Sequence, residues 1–404
     1  MAMPMTSTPS FYAELSLVPN RPRRVLIATD TYPPDVNGAA VFTHRLATGL
    51  AERGSEVHVV CQSEDGPART YLDDGVIVHR MRSAPLLVHP TMRVTMPARL
   101  DRLVAAIGPD VLHTQGHFVI GRAAVSAARR HGVPVVATNH FMPDNLFQFA
   151  HVPERLRAGV ARLAWRDFNR IFGRADLITT PTELAAGLLA EQGFDRHVEA
   201  VSCGIDLGRF HPRNEPKTWL RGTFGLPDRP TALFVGRVDE EKRLNELVRA
   251  LPYILNETDA QVAIVGTGNQ REALELLAKR IGVGDRVFFL GHVPDELMPQ
   301  AFAAADVFAM PGVAELQSIA TLEAMATGLP IVAANAMALP HLVAENGFLY
   351  EPGDVLGLAR HLTDLLADES LRERMGKSSR ELALTHDHTA SLARFEQIYD
   401  EVSR

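Results

Sequence analysis

The feature that most constrains the fold is an order of apolar segment, amphipathic helix and apolar segment that occurs twice along the chain. It is found in residues 24–61 and again in residues 231–265. Further apolar segments that we predict to be strands are residues 111–113, 135–137, 177–179, 287–290, 307–309 and 331–333. Strands that are apolar throughout are buried on both faces, as in parallel sheets covered by helices. The sequence therefore predicts an α/β protein of two doubly wound, Rossmann-like domains that face each other across a cleft.

The domain boundaries follow from the places where this pattern is interrupted. A chain of 404 residues exceeds the size of an ordinary single domain. Glycine, proline and polar residues cluster near residues 205–216 and indicate a linker. We expect a leader over residues 1–22, a first domain over 23–204, a second domain over 217–386 and a C-terminal helix over 387–404.

Composition and charge exclude several classes of protein. The two cysteines, Cys61 and Cys203, are too few for a disulfide framework or a cysteine-ligated zinc site, and they favour a reducing, cytoplasmic location. No stretch approaches 18 apolar residues without charge, and the first 20 residues lack the apolar run of a signal peptide. A net charge of −7 argues against nucleic acid as a partner. Residues 1–205 nevertheless carry a net charge of +2, so this half is the better candidate to meet an anionic partner.

Two glutamates and a helix start form the most specific pattern in the second half. Ser318 is a suitable N-cap, so we expect Glu315 to precede a helix and Glu323 to lie within it. The backbone N–H groups near Gln317, Ser318 and Ile319 would then form an anion-binding helix end between the two carboxylates. Such an arrangement suits a nucleotide sugar, which has a diphosphate with hydroxyl-bearing rings on both sides.

Cations and a glycine-containing loop complete the predicted phosphate site. Arg237 and Lys242 follow a predicted strand closely enough to reach one cleft, where they would neutralise a diphosphate and stabilise the departing nucleotide. In the other half, Asn37 and Gly38 follow the first strand, and Gly38 lets backbone approach the same phosphates. No Asp-x-Asp loop and no cluster with metal-ligand spacing is found, so we expect no metal ion.

With these residues, the sequence resembles glycosyltransferases of family four, which have the GT-B fold. The matching motifs are Glu315 with Glu323, Gly236-Arg237 with Lys242, and residues 33–38, 204–212, 265–268, 290–293 and 304–307. The resemblance covers residues 23–404. It implies a retaining, metal-independent enzyme that moves a hexose from a UDP- or GDP-sugar to a hydroxyl acceptor and forms an alpha-glycoside. It also implies that the last helix packs back on the first domain and that no cofactor is needed beyond the donor substrate.

The resemblance also implies roles for individual residues. Glu323 would bind the ribose and Glu315 the transferred sugar, while Arg237 and Lys242 would hold the diphosphate. The residues implied to border the nucleotide base are Gly291, His292 and Val293. His117 would lie beside the anomeric carbon. Ser318 departs from the family, which usually has glycine there, and the first loop has Asn-Gly instead of Gly-Gly.

Several alternatives remain open at this level. His140 follows a predicted strand, and it is equally well read as an acceptor contact or as a buried structural histidine. A nucleotide-sugar epimerase or a non-catalytic nucleotide-sugar-binding protein could use the same architecture. Residues 154–174 carry arginines at helical spacing, at Arg162, Arg166 and Arg170. They fit either a solvated helix face or a contact with an anionic membrane surface, and the acceptor is accordingly a lipid, a cyclitol or a small-molecule glycoside.

Overall fold

The computed structural model describes residues 21–35, 37–86, 89–142 and 154–404. Its main elements are an eight-stranded and a six-stranded sheet, both largely parallel. All of the predicted strand segments form strands of these two sheets. The predicted α/β architecture of two doubly wound domains is thus confirmed.

The first sheet has the strand order β10-β9-β8-β7-β1-β2-β4-β3, and only β3 is antiparallel to its neighbour. The strands in this part of the chain are β1 (Arg24–Ala28), β2 (Glu56–Gln62), β3 (Arg69–Asp73), β4 (Val76–Met81), β5 (Ser83–Leu86), β6 (His89–Thr95), β7 (Val111–Thr114), β8 (Val135–Thr138), β9 (Leu177–Thr180) and β10 (Glu199–Ala200). Strands β5 and β6 form a separate antiparallel pair. The sequence analysis did not predict β3 to β6 or the short strand β10.

Helices pack on both faces of this sheet because its central strands are mostly apolar and their side chains are buried on both faces. Leu26 and Ala28 lie in one buried cluster, whereas Val25 and Ile27 lie in another, as expected when successive side chains point to opposite faces. The helices of this part are α1 (Gly38–Glu52), α2 (Leu100–Ile107), α3 (Val119–Arg130), α4 (Glu154–Phe172) and α5 (Glu183–Glu191).

The second sheet has the strand order β13-β12-β11-β14-β15-β16, with all pairs parallel. Its strands are β11 (Thr231–Val235), β12 (Gln261–Val265), β13 (Val287–Gly291), β14 (Val307–Met310), β15 (Ile331–Ala334) and β16 (Gly347–Tyr350). The accompanying helices are α6 (Lys217–Thr223), α7 (Leu244–Ile254), α8 (Arg271–Arg280), α9 (Met298–Ala303), α10 (Ile319–Ala326), α11 (Val355–Ala367) and α12 (Glu369–Ala383).

The last helix, α13 (His388–Val402), returns to the first sheet. Phe395, Ile398 and Tyr399 are buried in the cluster that contains the β1 side chains. The Tyr399 hydroxyl also lies 2.7 Å from Nδ1 of the buried His113, at the end of β7. The chain thus crosses between the two sheets twice, and the crossings meet where Ile205 pairs with Asp387.

None of the helices among the described residues has the combination of length and hydrophobicity needed to cross a bilayer.

Candidate active site

A cleft of about 540 Å³ lies between the two sheets, at the carboxyl ends of their strands. Ligands of open parallel sheets bind at this edge, and the volume lies in the range of small-molecule sites. The predicted site residues that line the cleft are Asn37, Gly38, His140, Arg237, Lys242, His292, Val293, Glu315, Gln317, Ser318, Ile319 and Glu323. His117 and Gly291 are not part of the lining.

Two helix N-termini face each other across the cleft. Asn37 caps α1, because its side-chain oxygen accepts a hydrogen bond from the Ala40 N–H at 2.9 Å. Ser318 caps α10 through the Thr321 N–H at 3.2 Å, as predicted. A Cβ atom added to Gly38 would lie 4.0 Å from Cδ1 of Ile319, so the two helix starts are close together. Both carry partial positive charge, so this part of the cleft is electrostatically suited to an anion.

Glu323 is buried inside α10, where it meets a cation from the other domain. Its carboxylate accepts a hydrogen bond from Nη2 of Arg45, on α1, at 2.7 Å. Burial raises the pKa of Glu323, and the Arg45 guanidinium opposes this effect. Nη1 of Arg45 is buried without a hydrogen-bond partner. Sequence reasoning missed Arg45, because nothing in α1 itself indicates that a glutamate of another domain lies opposite.

The two predicted cations are both held by carboxylates. Lys242 forms an ion pair with Glu315, so the glutamate predicted to bind sugar is next to the lysine predicted to bind phosphate. Arg237 contacts Asp239 and Glu241, each at 2.6 Å. These ion pairs hold both cations at the cleft wall in defined positions.

A close backbone contact positions the loop that carries Arg237. Gly266, which follows β12, has a φ of +127°. A Cβ atom added there would lie 1.9 Å from the carbonyl oxygen of Gly236. Only glycine permits this approach, so the loops after β11 and β12 pack directly on each other.

His292 and Val293 line the second-domain wall of the cleft. Gly291 precedes them in a left-handed conformation, with a φ of +67°, but does not itself line the cleft. Asp295 lies next to them and forms an ion pair with Arg209 at 2.6 Å. The Arg209 guanidinium lowers the pKa of Asp295 against the opposing effect of burial. Sequence reasoning missed both members of this pair.

The structure does not place His117 where the prediction requires it. The side chain is only 4% exposed, and its ring packs against Phe118, Phe168 and Phe172 in an aromatic cluster. His117 lies in the turn between β7 and α3, and this turn packs closely on the helix. A Cβ atom added to Gly121 of α3 would lie 2.0 Å from the carbonyl oxygen of Gly116.

Gln115 and His140 line the cleft instead. Nε2 of His140 lies 2.8 Å from Oε1 of Gln115. An amide oxygen only accepts hydrogen bonds, so Nε2 of His140 carries the proton in this contact. Burial lowers the pKa of His140 to about 4, which keeps the ring neutral near pH 7. Gln115 was missed because it lies beside the more conspicuous His117 in the sequence.

We predict that His117→Phe preserves kcat/KM for sugar transfer and makes the protein less sensitive to acid. Burial lowers the pKa of His117 to about 4 from the ordinary 6.5. Between these pH values the unfolded chain binds a proton that the folded chain does not, so His117 lowers stability as the pH falls. The variant lacks this effect, and its free energy of unfolding should fall less steeply from pH 6.5 to 4.

Chemical denaturation at several pH values measures this difference, with the exposed His197→Phe as the matched control. A large loss of kcat/KM in a folded His117→Phe protein would contradict the structural role.

Comparisons with known proteins agree with this two-domain arrangement. A family model described as Glycosyltransferase Family 4 matches residues 36–209, and one described as Glycosyl transferases group 1 matches residues 220–382. The GDP-mannose-dependent alpha-mannosyltransferase of Mycolicibacterium smegmatis is 31% identical over 369 residues, which cover 89% of this chain and 92% of that protein.

Solved structures show the same fold at lower identity. The sucrose-phosphate synthase of Thermosynechococcus elongatus has a TM-score of 0.80 at 22% identity, covering 94% of this chain and 99% of that one. Anabaena HepE in complex with UDP-glucose has a TM-score of 0.74 at 20% identity, with coverage of 94% and 99%.

Proposed function

Because the chain belongs to glycosyltransferase family 4 and has the GT-B fold, we propose a specific reaction for its cleft. The protein transfers a hexose from a UDP- or GDP-sugar to a hydroxyl acceptor, with retention of configuration and without a metal ion. The observation that carries this proposal is the pair of facing helix N-termini, flanked by Glu315 with Lys242 on one side and Glu323 on the other.

The donor fits this arrangement by charge and hydrogen bonding. The diphosphate lies between the two helix starts, where Arg237 and Lys242 neutralise it. Glu323 accepts hydrogen bonds from the ribose hydroxyls, and His292 and Val293 border the base. Glu315 binds the hydroxyls of the transferred sugar. The cations and N–H groups are in place before the reaction, so they stabilise the charge that develops on the departing nucleoside diphosphate.

The configuration at C1 is retained when the acceptor approaches the sugar from the same face from which the diphosphate leaves. The bond between C1 and the phosphate oxygen breaks, the bond between C1 and the acceptor oxygen forms, and the acceptor proton passes to a phosphate oxygen. The departing diphosphate thus acts as the base, and no carboxylate nucleophile is needed. His140 lies with Gln115 at the first-domain side of the cleft, where the acceptor would enter.

The test of this function is turnover of UDP-glucose and GDP-mannose with a panel of hydroxyl acceptors, followed by NMR of the product anomeric proton. An alpha-linked product supports retaining transfer, and a beta-linked product contradicts it. Interconversion of the nucleotide sugar without any acceptor would instead support the epimerase. Nucleotide-sugar binding without hydrolysis or transfer, across the whole panel, would support a binding protein.

We predict that chelators leave the transfer rate unchanged. The guanidinium of Arg237, the ammonium of Lys242 and two helix N-termini supply positive charge at the proposed diphosphate site. Among the described residues, no three histidine, cysteine or acidic side chains are grouped to share a metal ion. The initial rate in EDTA should equal that in added magnesium. Loss of activity in EDTA that magnesium restores would contradict the prediction.

Helix α4 supports the proposal that the protein contacts an anionic membrane. Leu156, Val160 and Leu163 are 53%, 37% and 68% exposed and lie along one side of the helix. Ile171, near the end of the same helix, is instead buried in the core. The exposed arginines of the helix are Arg157, Arg162, Arg166 and Arg170. Exposed apolar side chains beside a row of cations are typical of helices that lie in a membrane interface.

Arg162/Arg166/Arg170→Ala should weaken binding to anionic vesicles. Each arginine near an anionic leaflet contributes about 1 kcal/mol, so the loss should be roughly a hundredfold in partition coefficient. Co-sedimentation with phosphatidylglycerol and phosphatidylcholine vesicles at two salt concentrations measures it. Arg249/Arg280/Arg374→Ala, which removes three exposed arginines of the second domain, is the matched control. Equal binding of the wild type to both vesicle types would contradict a membrane contact.

A further inference from the structure

Three strand ends of the first sheet bring polar side chains to one part of the cleft. Strands β1, β7 and β8 are neighbours, and Asp30, Gln115 and His140 follow their carboxyl ends by one or two residues. All three residues line the cleft. None of them is needed for the donor contacts proposed above.

Two of these side chains have buried polar atoms without a partner. Oδ1 of Asp30 accepts a hydrogen bond from the Ile120 N–H at 3.0 Å, which fixes the carboxylate at the start of α3. Its second oxygen, Oδ2, is buried and unpartnered. Oε1 of Gln115 is held by His140, which leaves the buried Nε2 group of Gln115 without a partner. Buried polar groups are rarely left without a hydrogen-bond partner. Asp30 Oδ2 is therefore available as an acceptor and the Gln115 Nε2 group as a donor for a ligand.

Aromatic side chains border the same region. Phe118 and Phe141 line the cleft, with ring centroids 5.5 Å apart and an interplanar angle of 62°. Phe118 is 37% exposed although its neighbour His117 is buried. Aromatic rings beside a carboxylate and an amide suit a ring that carries hydroxyls at its edge and C–H groups on its face.

The charges in this region disfavour an anionic ligand. Among the described lining residues, the lysine and arginine side chains are Arg45, Arg237 and Lys242. The proposed function assigns Arg237 and Lys242 to the donor diphosphate, and Arg45 pairs with Glu323. His140 is neutral near pH 7. A phosphate group placed beside the Asp30 carboxylate would therefore be buried without a cation.

We propose that Asp30 and Gln115, with the Phe118 and Phe141 rings, form an acceptor subsite for an uncharged cyclic polyol, such as a pyranose or a cyclitol ring. The inference rests on the proposed transferase function and adds the class of acceptor to it. Asp30 Oδ2 accepts a hydrogen bond from one ring hydroxyl, and Gln115 Nε2 donates one to a second hydroxyl oxygen.

The test is saturation-transfer NMR on the full chain in the presence of UDP or GDP. The probes are methyl α-glucoside, methyl α-mannoside and myo-inositol, together with glucose 6-phosphate, mannose 6-phosphate and inositol 1-phosphate. We expect an uncharged probe to bind at least tenfold more tightly than its phosphorylated counterpart. A phosphorylated probe that binds more tightly, or the absence of binding by all uncharged probes while the nucleotide binds, overturns the inference. Absence of nucleotide binding would instead contradict the proposed function.

Two variants assign the contact to the named atoms. Asp30→Asn keeps an oxygen for the Ile120 N–H but replaces the free acceptor by a donor, and Gln115→Met keeps the length of the side chain without its amide. Each variant should weaken the binding of the uncharged probe tenfold or more without changing the Kd of the nucleotide. Asp195→Asn, at an exposed position of the first domain, is the control. Unchanged probe binding in both variants overturns the assignment.

A last arm distinguishes a free polyol from a lipid headgroup. Vesicles that contain monoglucosyl diacylglycerol are compared with methyl α-glucoside as competitors for the same NMR signal. Competition by either one supports the subsite. The stronger competitor shows whether the bound ring belongs to a free polyol or to a lipid headgroup. Competition that persists in Asp30→Asn would overturn it.

Discussion

The Lys242→Ala variant is expected to lose about 10²–10³-fold in kcat/KM for sugar transfer, because removing one fixed donor to a developing anion typically costs about 3–4 kcal/mol. Lys242 is held at the cleft wall by Glu315, close to the start of α10. Its ammonium group is therefore positioned before the donor binds. An alanine leaves the proposed diphosphate site with less positive charge.

Calorimetry with UDP or GDP and with the corresponding nucleoside separates this role from a general loss of structure. The variant should lose affinity for the diphosphate and keep its affinity for the nucleoside. Lys279→Ala, at an exposed position of α8, is the matched control. Equal losses for both ligands, or a wild-type rate of transfer, would contradict the role of Lys242 at the phosphates.

The second large effect is expected for Glu323→Ala. Glu323 is buried and paired with Arg45 across the cleft, so the substitution removes the proposed ribose contact and leaves a buried guanidinium without its carboxylate. Loss of a hydrogen-bond partner of this kind costs on the order of 1–3 kcal/mol. Because the ribose contact is lost and Arg45 is left unpaired beside it, we expect donor affinity to fall about a hundredfold. Glu323→Gln keeps the shape of the side chain and should lose less.

The ribose hydroxyls provide the decisive comparison for Glu323. Wild-type protein should bind a nucleoside diphosphate more tightly than its 2′,3′-dideoxy analogue, and Glu323→Ala should bind both with similar affinity. Thermal unfolding of both variants reports any loss of folding that comes from the unpaired Arg45. If Glu323→Ala still distinguished the two nucleotides as the wild type does, Glu323 would not be the ribose ligand.

The local pattern of the sequence determined the architecture. The central strands consist mostly of apolar residues, which is compatible with burial on both faces of a parallel sheet, and residues 24–28 form β1 as predicted. The capping chemistry of Ser318 likewise determined where α10 begins. In both cases the decisive interactions lie within a few residues of chain.

Only the tertiary structure decided which side chains meet across the cleft. Arg45 and Glu323 are 278 positions apart, and no local pattern in α1 or α10 indicates their contact. The tertiary structure likewise decided that His117, after β7, lies in an aromatic core, whereas His140, after β8, lines the cleft. Hydrophobic periodicity and helix capping depend on residues that are close together in the sequence. The contacts across the cleft depend instead on the packing of elements that are distant in sequence.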